Sequence, residues 1–452
     1  MNAVVEAPQD FGIAPIPRDK RALGFADTFV LWSDLGVSFL VMVVGMFLVP
    51  GLSLVQALLA ILLGGVIGNL LLGLAAAIGS DVGVPTMVLL RPSLGLRGSY
   101  LPSVVNVVQL VGWATFEVIV MAQAASALLQ RLAGLPGTYP FWALGFAILT
   151  TVLAVWGPVH VVKKILAKYV IWLVLATTVW LTLAILTSYD MGELLARPGT
   201  GDMPFLTAVD LVIALPISWF PLVADYSRLT RDRGAAFWGT GLGYFVPHVW
   251  FYALGALLVL GAGVAFDPLA PVAPLIAAIA GLTFGWVALL ILLVDETDEG
   301  FANVYSAAVS VRNVAPGLRQ RDVTLAIGAL VLVLSQVVSL TQYESFLLLI
   351  GSFFVPLLGV LAADYFLVRG GRYDGAALFT RGGPYWYASG VHWPGLACWL
   401  AGAATYVTIA GIAPLGISGT APWLGATLPS LAVSFLLYAL LGRASVTRGA
   451  QA

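Results

Sequence analysis

Long apolar runs, separated by short polar segments, make up almost the entire chain. A helix needs about 20 apolar residues to cross roughly 30 Å of membrane hydrocarbon, so each run is a candidate transmembrane helix. The pattern predicts an all-α polytopic membrane protein with twelve transmembrane helices. The predicted spans are residues 27–49, 54–78, 103–130, 139–158, 165–187, 205–226, 238–265, 283–311, 322–340, 344–367, 393–413 and 421–441.

Composition also favours a membrane protein over a soluble one. Hydrophobic residues make up 60% and charged residues 10% of the 452 residues, against roughly 45–50% and about 25% in soluble domains. The formal net charge of −1 argues against a nucleic-acid partner, which requires a basic surface. Cys398 is the single cysteine, which excludes an intrachain disulfide, and the three histidines lack the HExxH spacing of a zinc site.

Lys and Arg predict the orientation, because these residues concentrate in cytoplasmic loops. With the N-terminus inside, 19 of the 21 Lys and Arg residues fall in inside segments, and only Arg131 and Arg197 fall outside. Residues 1–24 lack the apolar core and cleavage site of a signal peptide, so we expect them to form a cytoplasmic tail. Both termini are then cytoplasmic, and the protein is expected to be a multi-pass protein of the cell membrane.

Acidic residues lie within the spans, whereas Lys and Arg lie in loops or at span ends. Buried acids without basic partners are costly and usually line a polar path. The missing positive charge must come from protons on the carboxyl groups, a bound metal cation or a cationic substrate. The acids in question are Asp34, Glu117, Asp210, Asp225, Asp295, Glu296, Asp298 and Glu299.

Four of these acids lie in the eighth span, in the sequence DETDEGFAN at residues 295–303. On a helix, Glu296, Glu299 and Asn303 share one face, and Asp295 and Asp298 share a neighbouring face. One alternative is a water-filled vestibule lined with acids. A second is the magnesium-diphosphate motif of an intramembrane prenyltransferase, but that chemistry requires two cytoplasmic motifs, and we find one at mid-span.

The third span carries a stripe of three side chains, Gln109, Trp113 and Glu117, at successive i, i+4 positions. An aromatic plane one turn from a carboxylate suits a flat heterocycle, which can stack on its face and hydrogen-bond at its edge. The alternative for Trp113 is a place in the aromatic belt at the membrane interface.

Two prolines interrupt the sixth span, Pro216 and Pro221, and each removes a backbone donor, so we expect the helix to break there. Trp219, next to Ser218, offers a second stacking wall. The first span has Asp34 and Gly36 at a comparable position. Broken helices of this kind form ligand and ion sites in transporters built from inverted repeats. The alternative is a simple proline kink.

Three motifs resemble those of the nucleobase:cation symporter-1 family, which includes bacterial cytosine permeases. They are RPSLGLRGSYLP at 91–102, VPLLGVLAADYFLVRGGR at 355–372 and YASGVHWPGLACW at 387–399, where His392 replaces the usual Asn. The resemblance covers about residues 25–440. It is closer to a branch assigned to cytosine or hydroxymethylpyrimidine uptake than to the hydantoin branch.

The resemblance implies a fold of two inverted five-helix repeats, at residues 25–187 and 205–368, with helices 1 and 6 broken and two additional C-terminal helices at 393–441. It also implies alternating-access uptake of a nucleobase-like ring coupled to sodium or protons. The implied substrate-binding residues, together with those from the spans above, are Gln109, Trp113, Glu117, Ser218, Trp219, Glu299 and Asn303. The implied cation site, a candidate sodium site, contains Asp34, Val37, Val294, Thr297 and Asp298.

This sequence departs from the family pattern where acids replace neutral residues, at Asp34, Glu117, Asp298 and Glu299. We predict a monomeric secondary active importer of cytosine, a purine or hydroxymethylpyrimidine, with no cofactor beyond a coupling ion. The extra acids favour a proton over sodium slightly, because two neighbouring carboxylates can share a proton. The alternatives are an importer of a cationic vitamin such as thiamine, and an intramembrane enzyme. No ATP-binding GxxxxGK[ST] motif is present.

Overall fold

The computed structural model describes residues 11–157, 171–263, 272–412 and 416–449, and the protein is almost entirely helical across them. The helices of the first half are α1 (Phe25–Asp34), α2 (Phe39–Phe47), α3 (Leu54–Val82), α4 (Thr86–Leu89), α5 (Arg91–Leu94), α6 (Tyr100–Ala133), α7 (Tyr139–Trp156), α8 (Ile171–Ser188) and α9 (Met191–Ala196). Those of the second half are α10 (Phe205–Ser227), α11 (Arg233–Ala262), α12 (Ala273–Gly281), α13 (Gly285–Asp295), α14 (Thr297–Val314), α15 (Gln320–Leu334), α16 (Tyr343–Ala362), α17 (Trp393–Ala410) and α18 (Thr427–Gly449).

Short elements connect the long helices. A π-helical turn (Ala363–Val368) extends α16, and a two-residue hairpin pairs β1 (Gly411–Ile412) with β2 (Ile417–Ser418). Single 3₁₀ turns lie at Arg18–Lys20, Leu340–Gln342, Ala377–Phe379 and Pro422–Leu424.

Eight of the twelve predicted spans coincide with helices that have the length and hydropathy of a transmembrane helix. Within the described residues, seven helices are long and apolar enough to cross a membrane, and the bent pair α1–α2 makes an eighth candidate. The other four predicted spans coincide with shorter or more polar helices: α13 with α14, then α15, α17 and α18. An all-α polytopic membrane protein is therefore confirmed, and the count of twelve stays a prediction. Residues 1–10 of the predicted tail and the start of the predicted fifth span, 165–170, lie outside the described residues.

The predicted break in the first span is confirmed. Helices α1 and α2 meet at an angle of 62° across four residues, Leu35 to Ser38. Gly36 lies against α11, where an added Cβ would come within 2.7 Å of Pro247 Cγ and 3.1 Å of the Tyr244 carbonyl oxygen. The close approach of α11 therefore requires glycine at the bend.

The predicted break in the sixth span is wrong, because α10 is continuous and contains both Pro216 and Pro221. A proline usually breaks a helix by leaving a carbonyl without its donor. Here Tyr252 of α11 supplies the donor beside Pro216: its hydroxyl lies 3.3 Å from the Leu211 oxygen and 3.4 Å from the Val212 oxygen.

Near Pro221, side chains of α6 donate to other carbonyl groups of α10, although not to that of Ile217, which is the one that Pro221 leaves without its helical donor. Asn106 Nδ2 donates to the Pro221 oxygen at 3.2 Å, and Gln109 Nε2 donates to the Ser218 oxygen at 3.2 Å. Since these donors come from two other helices, the local sequence of the span does not reveal them.

The eighth predicted span consists of α13 and α14, which are separated at Glu296. Gly300 in α14 allows close contact with α7, because an added Cβ would lie 2.5 Å from Thr150 Cγ2. Helix α14 also packs along α6, while α3 packs between α10 and α11, and α1 packs on α11. The bend of α1–α2, the acidic segment of α13–α14 and the middle of α10 are thereby brought to one interior region.

Candidate transport site

A narrow interior cavity lies between α2, α6, α10, α11 and α14. It has about 310 Å³ of space not filled by atoms, and its walls are so close that almost none of it admits a water molecule. Six of the seven predicted substrate-binding residues line it: Trp113, Glu117, Ser218, Trp219, Glu299 and Asn303. Ser38, Leu40, Val41, Leu215 and Tyr244 complete the lining. None of these five was predicted as a site residue. Ser38 lies at the bend of α1–α2 and Tyr244 lies on α11, so both reach the cavity through the packing of those helices.

The two tryptophans of the cavity are held differently. Trp219 donates its Nε1–H to the Tyr244 hydroxyl at 3.0 Å, and its ring meets Trp32 edge-on with centroids 5.8 Å apart. Trp113 packs edge-on against Phe346 at 5.3 Å, but its buried Nε1–H has no hydrogen-bond partner among the described residues. Trp113 therefore presents a rigid aromatic face together with an unused donor.

Gln109, the seventh predicted substrate-binding residue, does not line the cavity. Its Nε2 donates to Asn106 Oδ1 at 2.9 Å as well as to the Ser218 oxygen. Gln109 thus contacts the backbone that carries Ser218 and Trp219, and it supports the wall of the cavity instead of contributing to its surface.

Three glutamates converge beside the cavity, as the face assignment on the eighth span predicts. Glu117, Glu296 and Glu299 each place a carboxylate oxygen within 4.8 Å of the other two. Neither oxygen of Glu117 accepts a hydrogen bond from a non-acidic group among the described residues.

Glu296, which is not among the predicted site residues, binds the start of α2. Its carboxylate accepts the Ser38 hydroxyl at 2.8 Å and the Phe39 N–H at 3.2 Å. A carboxylate at a helix N-terminus satisfies free N–H groups and is stabilised by the helix dipole. Glu296 therefore fixes the bend of α1–α2 relative to α14. Its separation of 258 positions from Ser38 explains why a sequence pattern does not reveal the contact.

Three aspartates form a second group behind the glutamates. Asp34, Asp295 and Asp298 each contribute one carboxylate oxygen to a set within 4.8 Å. All three side chains are buried, and none of their oxygens accepts a hydrogen bond from a non-acidic group in the described part of the chain. Asp34 and Asp298 were predicted as cation ligands; Asp295 was not, although its i, i+3 spacing from Asp298 indicates the shared face.

The remaining members of the predicted cation site are Thr297, Val294 and Val37. Thr297 donates its hydroxyl to the Val294 oxygen at 2.7 Å, and the Glu296 N–H points at that same oxygen. Val37 donates its N–H to the Asp34 carbonyl at 3.0 Å. The Val294 carbonyl thus already has two donors, whereas the three aspartate carboxylates have no non-acidic donor among the described residues.

Two other acids predicted inside spans are held by backbone N–H groups instead. Asp210 accepts from Ala426 and Thr427 at the start of α18, and Asp225 accepts from Thr86 at 3.1 Å at the start of α4. Capping of this kind is a structural role. We use the name acid cluster for the six that remain: Asp34, Glu117, Asp295, Glu296, Asp298 and Glu299.

The three motifs that carry the family resemblance meet in one network, which contains no member of the acid cluster. Asp364, in the second motif, accepts hydrogen bonds from Tyr373 at 2.6 Å and Tyr438 at 2.9 Å, and it lies 3.6 Å from Arg369 Nε. Arg369 donates to the Tyr387 hydroxyl at 2.6 Å.

The first and third motifs join the same network. Tyr387 donates to the Pro92 oxygen at 2.6 Å and stacks on His392, and His392 Nδ1 lies 2.7 Å from the Ser93 oxygen. We call this network the motif hub; its members are Pro92, Ser93, Asp364, Arg369, Tyr373, Tyr387, His392 and Tyr438. It connects the segment after α3 with α16, α17 and α18, and none of its members lines the cavity.

Comparison with known proteins agrees with the fold and the motifs. A family model for permeases of cytosine/purines, uracil, thiamine and allantoin matches residues 15–424. The cytosine permease of Escherichia coli strain K12 is 27% identical over 376 residues, which cover 80% of this chain and 82% of that protein. The hydantoin permease of Microbacterium maritypicum is 24% identical over 408 residues, which cover 85% and 81%.

A solved structure has the same fold over nearly the whole length. It is Mhp1, a nucleobase-cation-symport-1 family transporter, in a closed conformation with bromovinylhydantoin bound; the TM-score is 0.82 at 20% identity, over 98% of this chain and 96% of that one. Since the family model covers most of the sequence, the chain belongs to the permease family for cytosine/purines, uracil, thiamine and allantoin, the nucleobase:cation symporter-1 family that its motifs predict.

Proposed function

We propose that this protein is a secondary active importer of a nucleobase-like heterocycle, a cytosine, purine or hydroxymethylpyrimidine, driven by symport of a cation. The observation that carries the proposal is the cavity in which Trp113 and Trp219 stand beside Glu117, Glu299 and Asn303. Aromatic faces and polar edge groups in one narrow space suit a flat ring with hydrogen-bonding atoms at its rim. The relatives named as cytosine and hydantoin permeases support a substrate of this shape.

The proposed substrate site is Trp113, Glu117, Ser218, Trp219, Glu299 and Asn303, with Gln109 as a supporting residue. A ring would stack on Trp113, whose face is held by Phe346, and would meet the carboxylates at its edge. Because the empty cavity is too narrow for water, the walls must move apart for entry. Alternating access supplies that movement in transporters with broken helices.

The proposed coupling site is the aspartate group Asp34, Asp295 and Asp298, at the bend of α1–α2. The residues fit such a role, since three buried carboxylates with unused oxygens suit a hard cation such as sodium, which prefers oxygen ligands. They also suit a proton, because neighbouring carboxylates avoid like-charge repulsion by sharing one. The absence of a basic partner for any member of the acid cluster, within the described residues, favours the proton.

Uptake by purified protein in sealed vesicles tests both parts of the proposal. Radiolabelled cytosine should accumulate when a pH gradient, acidic outside, is imposed without sodium, and unlabelled nucleobases should compete. Accumulation driven by a sodium gradient at equal pH, and not by a pH gradient, would replace the proton by sodium and leave the heterocycle site in place. No accumulation of any nucleobase under either gradient would contradict the proposed function.

A cationic vitamin such as thiamine is a second candidate, because six buried carboxyl groups share one region in which no Lys or Arg is described. A substrate with a permanent positive charge would neutralise part of the negative charge of these carboxyl groups. Competition separates the candidates: neutral cytosine should displace a labelled nucleobase under the first, and only cations should displace labelled thiamine under the second. We do not retain the intramembrane enzyme, since the matched family consists of permeases.

For the topology, we propose twelve spans with both termini in the cytoplasm of the cell, and two five-helix repeats at residues 25–187 and 205–368. The meeting of the three motifs supports the alternation of the spans, because the motifs belong to segments predicted on one common side of the membrane. A monomer is proposed as the transport unit. Accessibility of single cysteines introduced at Arg97 and Arg131, which are predicted on opposite sides, tests the orientation in intact cells.

A further inference from the structure

The cavity offers many hydrogen-bond acceptors beside α6 and α14. Both oxygens of Glu117 are buried without a non-acidic donor, and Glu299 lines the same wall. Glu296, the third glutamate, already accepts the Ser38 hydroxyl and the Phe39 N–H. Glu117 and Glu299 are thus the carboxyl groups left to face a ligand.

Hydrogen-bond donors in the cavity are few, because most are already used. Trp219 donates to Tyr244, and the Ser218 hydroxyl donates to the Leu215 oxygen at 2.6 Å. The lining residues include no Lys, Arg or His. Three donors remain: the Nε1–H of Trp113, the amide of Asn303, which can also accept, and the O–H of Tyr244, whose oxygen accepts from Trp219. A ligand that fills this cavity must therefore offer more hydrogen-bond donors than acceptors to Glu117 and Glu299.

An amidine edge is the chemical group that meets this requirement on a flat ring. It consists of an exocyclic amino group next to a ring nitrogen, as in aminopyrimidines and aminopurines. In its protonated form it donates two parallel N–H groups to one carboxylate, in the manner of a guanidinium. When the proton lies on the carboxyl group instead, the ring nitrogen accepts the O–H and the amino group donates to the other oxygen, so the same geometry serves both positions of the proton.

An imide or lactam edge, in which a ring N–H stands next to a carbonyl group, fits less well. It places a carbonyl oxygen against a carboxylate oxygen, and this repulsion disappears only when the carboxyl group carries a proton. A site whose buried groups are left unpaired by a ligand rejects that ligand strongly. We infer that the cavity selects heterocycles with an amidine edge over the corresponding oxo compounds, and that Glu117 forms the pair. This inference rests on the proposed function, since it specifies the ring that the same site takes.

Matched pairs of bases test the inference on the purified full-length protein. Cytosine and uracil differ in the amino and oxo group of one edge, as do adenine and hypoxanthine. Binding is measured by quenching of tryptophan fluorescence and checked by isothermal titration at fixed pH. We expect the amino member of each pair to bind at least tenfold more tightly. Equal or tighter binding of the oxo members would overturn the inference and leave heterocycle transport in place, whereas no binding of any base would contradict the proposed function itself.

Glu117→Gln tests whether this residue makes the pair. A glutamine amide offers one fixed donor and one fixed acceptor, so it tolerates an imide edge, and we expect the cytosine-to-uracil preference to fall at least tenfold. Glu193→Gln is the matched control, because it makes the same chemical change at an exposed ion pair with Arg197. Thermal unfolding of each variant checks the fold. A Glu117→Gln protein that folds, binds and keeps the wild-type preference would overturn the assignment to Glu117.

Discussion

Asp298 of the acid cluster and Asp364 of the motif hub are both buried acids in long helices, and they have opposite surroundings. Asp364 accepts two tyrosine hydroxyls and lies beside Arg369. Asp298 has no donor other than neighbouring acids, and its nearest companions are Asp34 and Asp295. A buried charge is costly unless it is paired, and of these two aspartates only Asp298 lacks a pairing group among the described residues.

The difference separates structural carboxylates from carboxylates that are available for transport. A fully paired group holds helices together and has little capacity left for a ligand. An unpaired group lowers stability, and its oxygens remain open to a proton, a cation or a substrate edge. The comparison can be tested by substitutions that should affect transport in one region and stability in the other.

The largest effect is expected for the aspartates of the acid cluster. Asp298→Asn and Asp34→Asn each remove a proposed coupling group, so uptake should no longer concentrate the substrate inside vesicles. Stability should not fall, because neither side chain has a non-acidic partner to lose. Gradient-driven uptake and thermal unfolding measure the two quantities, with exposed Asp202→Asn as the control. Retained accumulation in both variants would contradict the coupling site.

In the motif hub, the expected loss is in stability. Asp364→Ala leaves Arg369 and two buried tyrosine hydroxyls without their acceptor. Removing one member of a buried ion pair costs about 3–5 kcal/mol. Unfolding of the purified protein in denaturant should therefore begin at clearly lower concentrations than for Asp298→Asn. If the two variants unfold alike, the contrast between the two regions is wrong.

A smaller and more local effect is expected at the wall of the cavity. Trp113→Ala should weaken substrate binding by about 1–3 kcal/mol, the value for an aromatic side chain stacked on a base. Trp113→Phe should keep much of the affinity, because a face for stacking remains. Trp172→Ala is the control, since that tryptophan is exposed on α8. Equal affinity in wild type and Trp113→Ala would exclude stacking on this residue.

Local sequence rules predict those parts of the site that lie on a single helix. The spacing of the eighth span assigns Glu296 and Glu299 to one face and Asp295 and Asp298 to the next, and the structure confirms both faces. The stripe of Trp113 and Glu117 is confirmed in the same way. Helical periodicity decides these positions, and it needs no knowledge of the other helices.

Contacts between distant segments account for what the sequence does not predict. At Pro216, Tyr252 of α11 reaches the carbonyl group that the proline leaves without its donor, and Asn106 and Gln109 of α6 donate to further carbonyl groups of α10 near Pro221. Glu296 holds the bend at Ser38 from the opposite half of the chain. The motifs at 91–102 and 355–372 are recognisable separately, but only folding shows that they meet. Such partners are set by packing, which a pattern along one helix does not encode.

The smallest effect concerns His392, the one departure from the family pattern within the motif hub. Its Nδ1–H donates to the Ser93 carbonyl, and Nε2 has no partner among the described residues, so a second proton there would be buried without an acceptor. Burial, with a contribution from Arg369, lowers the pKa of His392. The imidazole of the unfolded chain has a pKa of about 6.5, so it takes up a proton at a higher pH than the imidazole of the folded protein does. The free energy of unfolding should therefore fall as the pH drops below that value.

His392→Asn restores the residue that the family usually has at this position and removes the titrating group. The asparagine amide can still donate to the Ser93 carbonyl, so at pH 8 the variant should unfold within about 1 kcal/mol of wild type, the net value of one hydrogen bond. Between about pH 6.5 and pH 5, where a free imidazole becomes charged, wild type should lose stability faster than the variant. Denaturant unfolding at a series of pH values measures both slopes. Identical slopes would mean that folding does not change the protonation of His392 in the presence of the groups that face it, Arg369, Tyr387 and Tyr438. The pH dependence assigned to His392 would then be wrong.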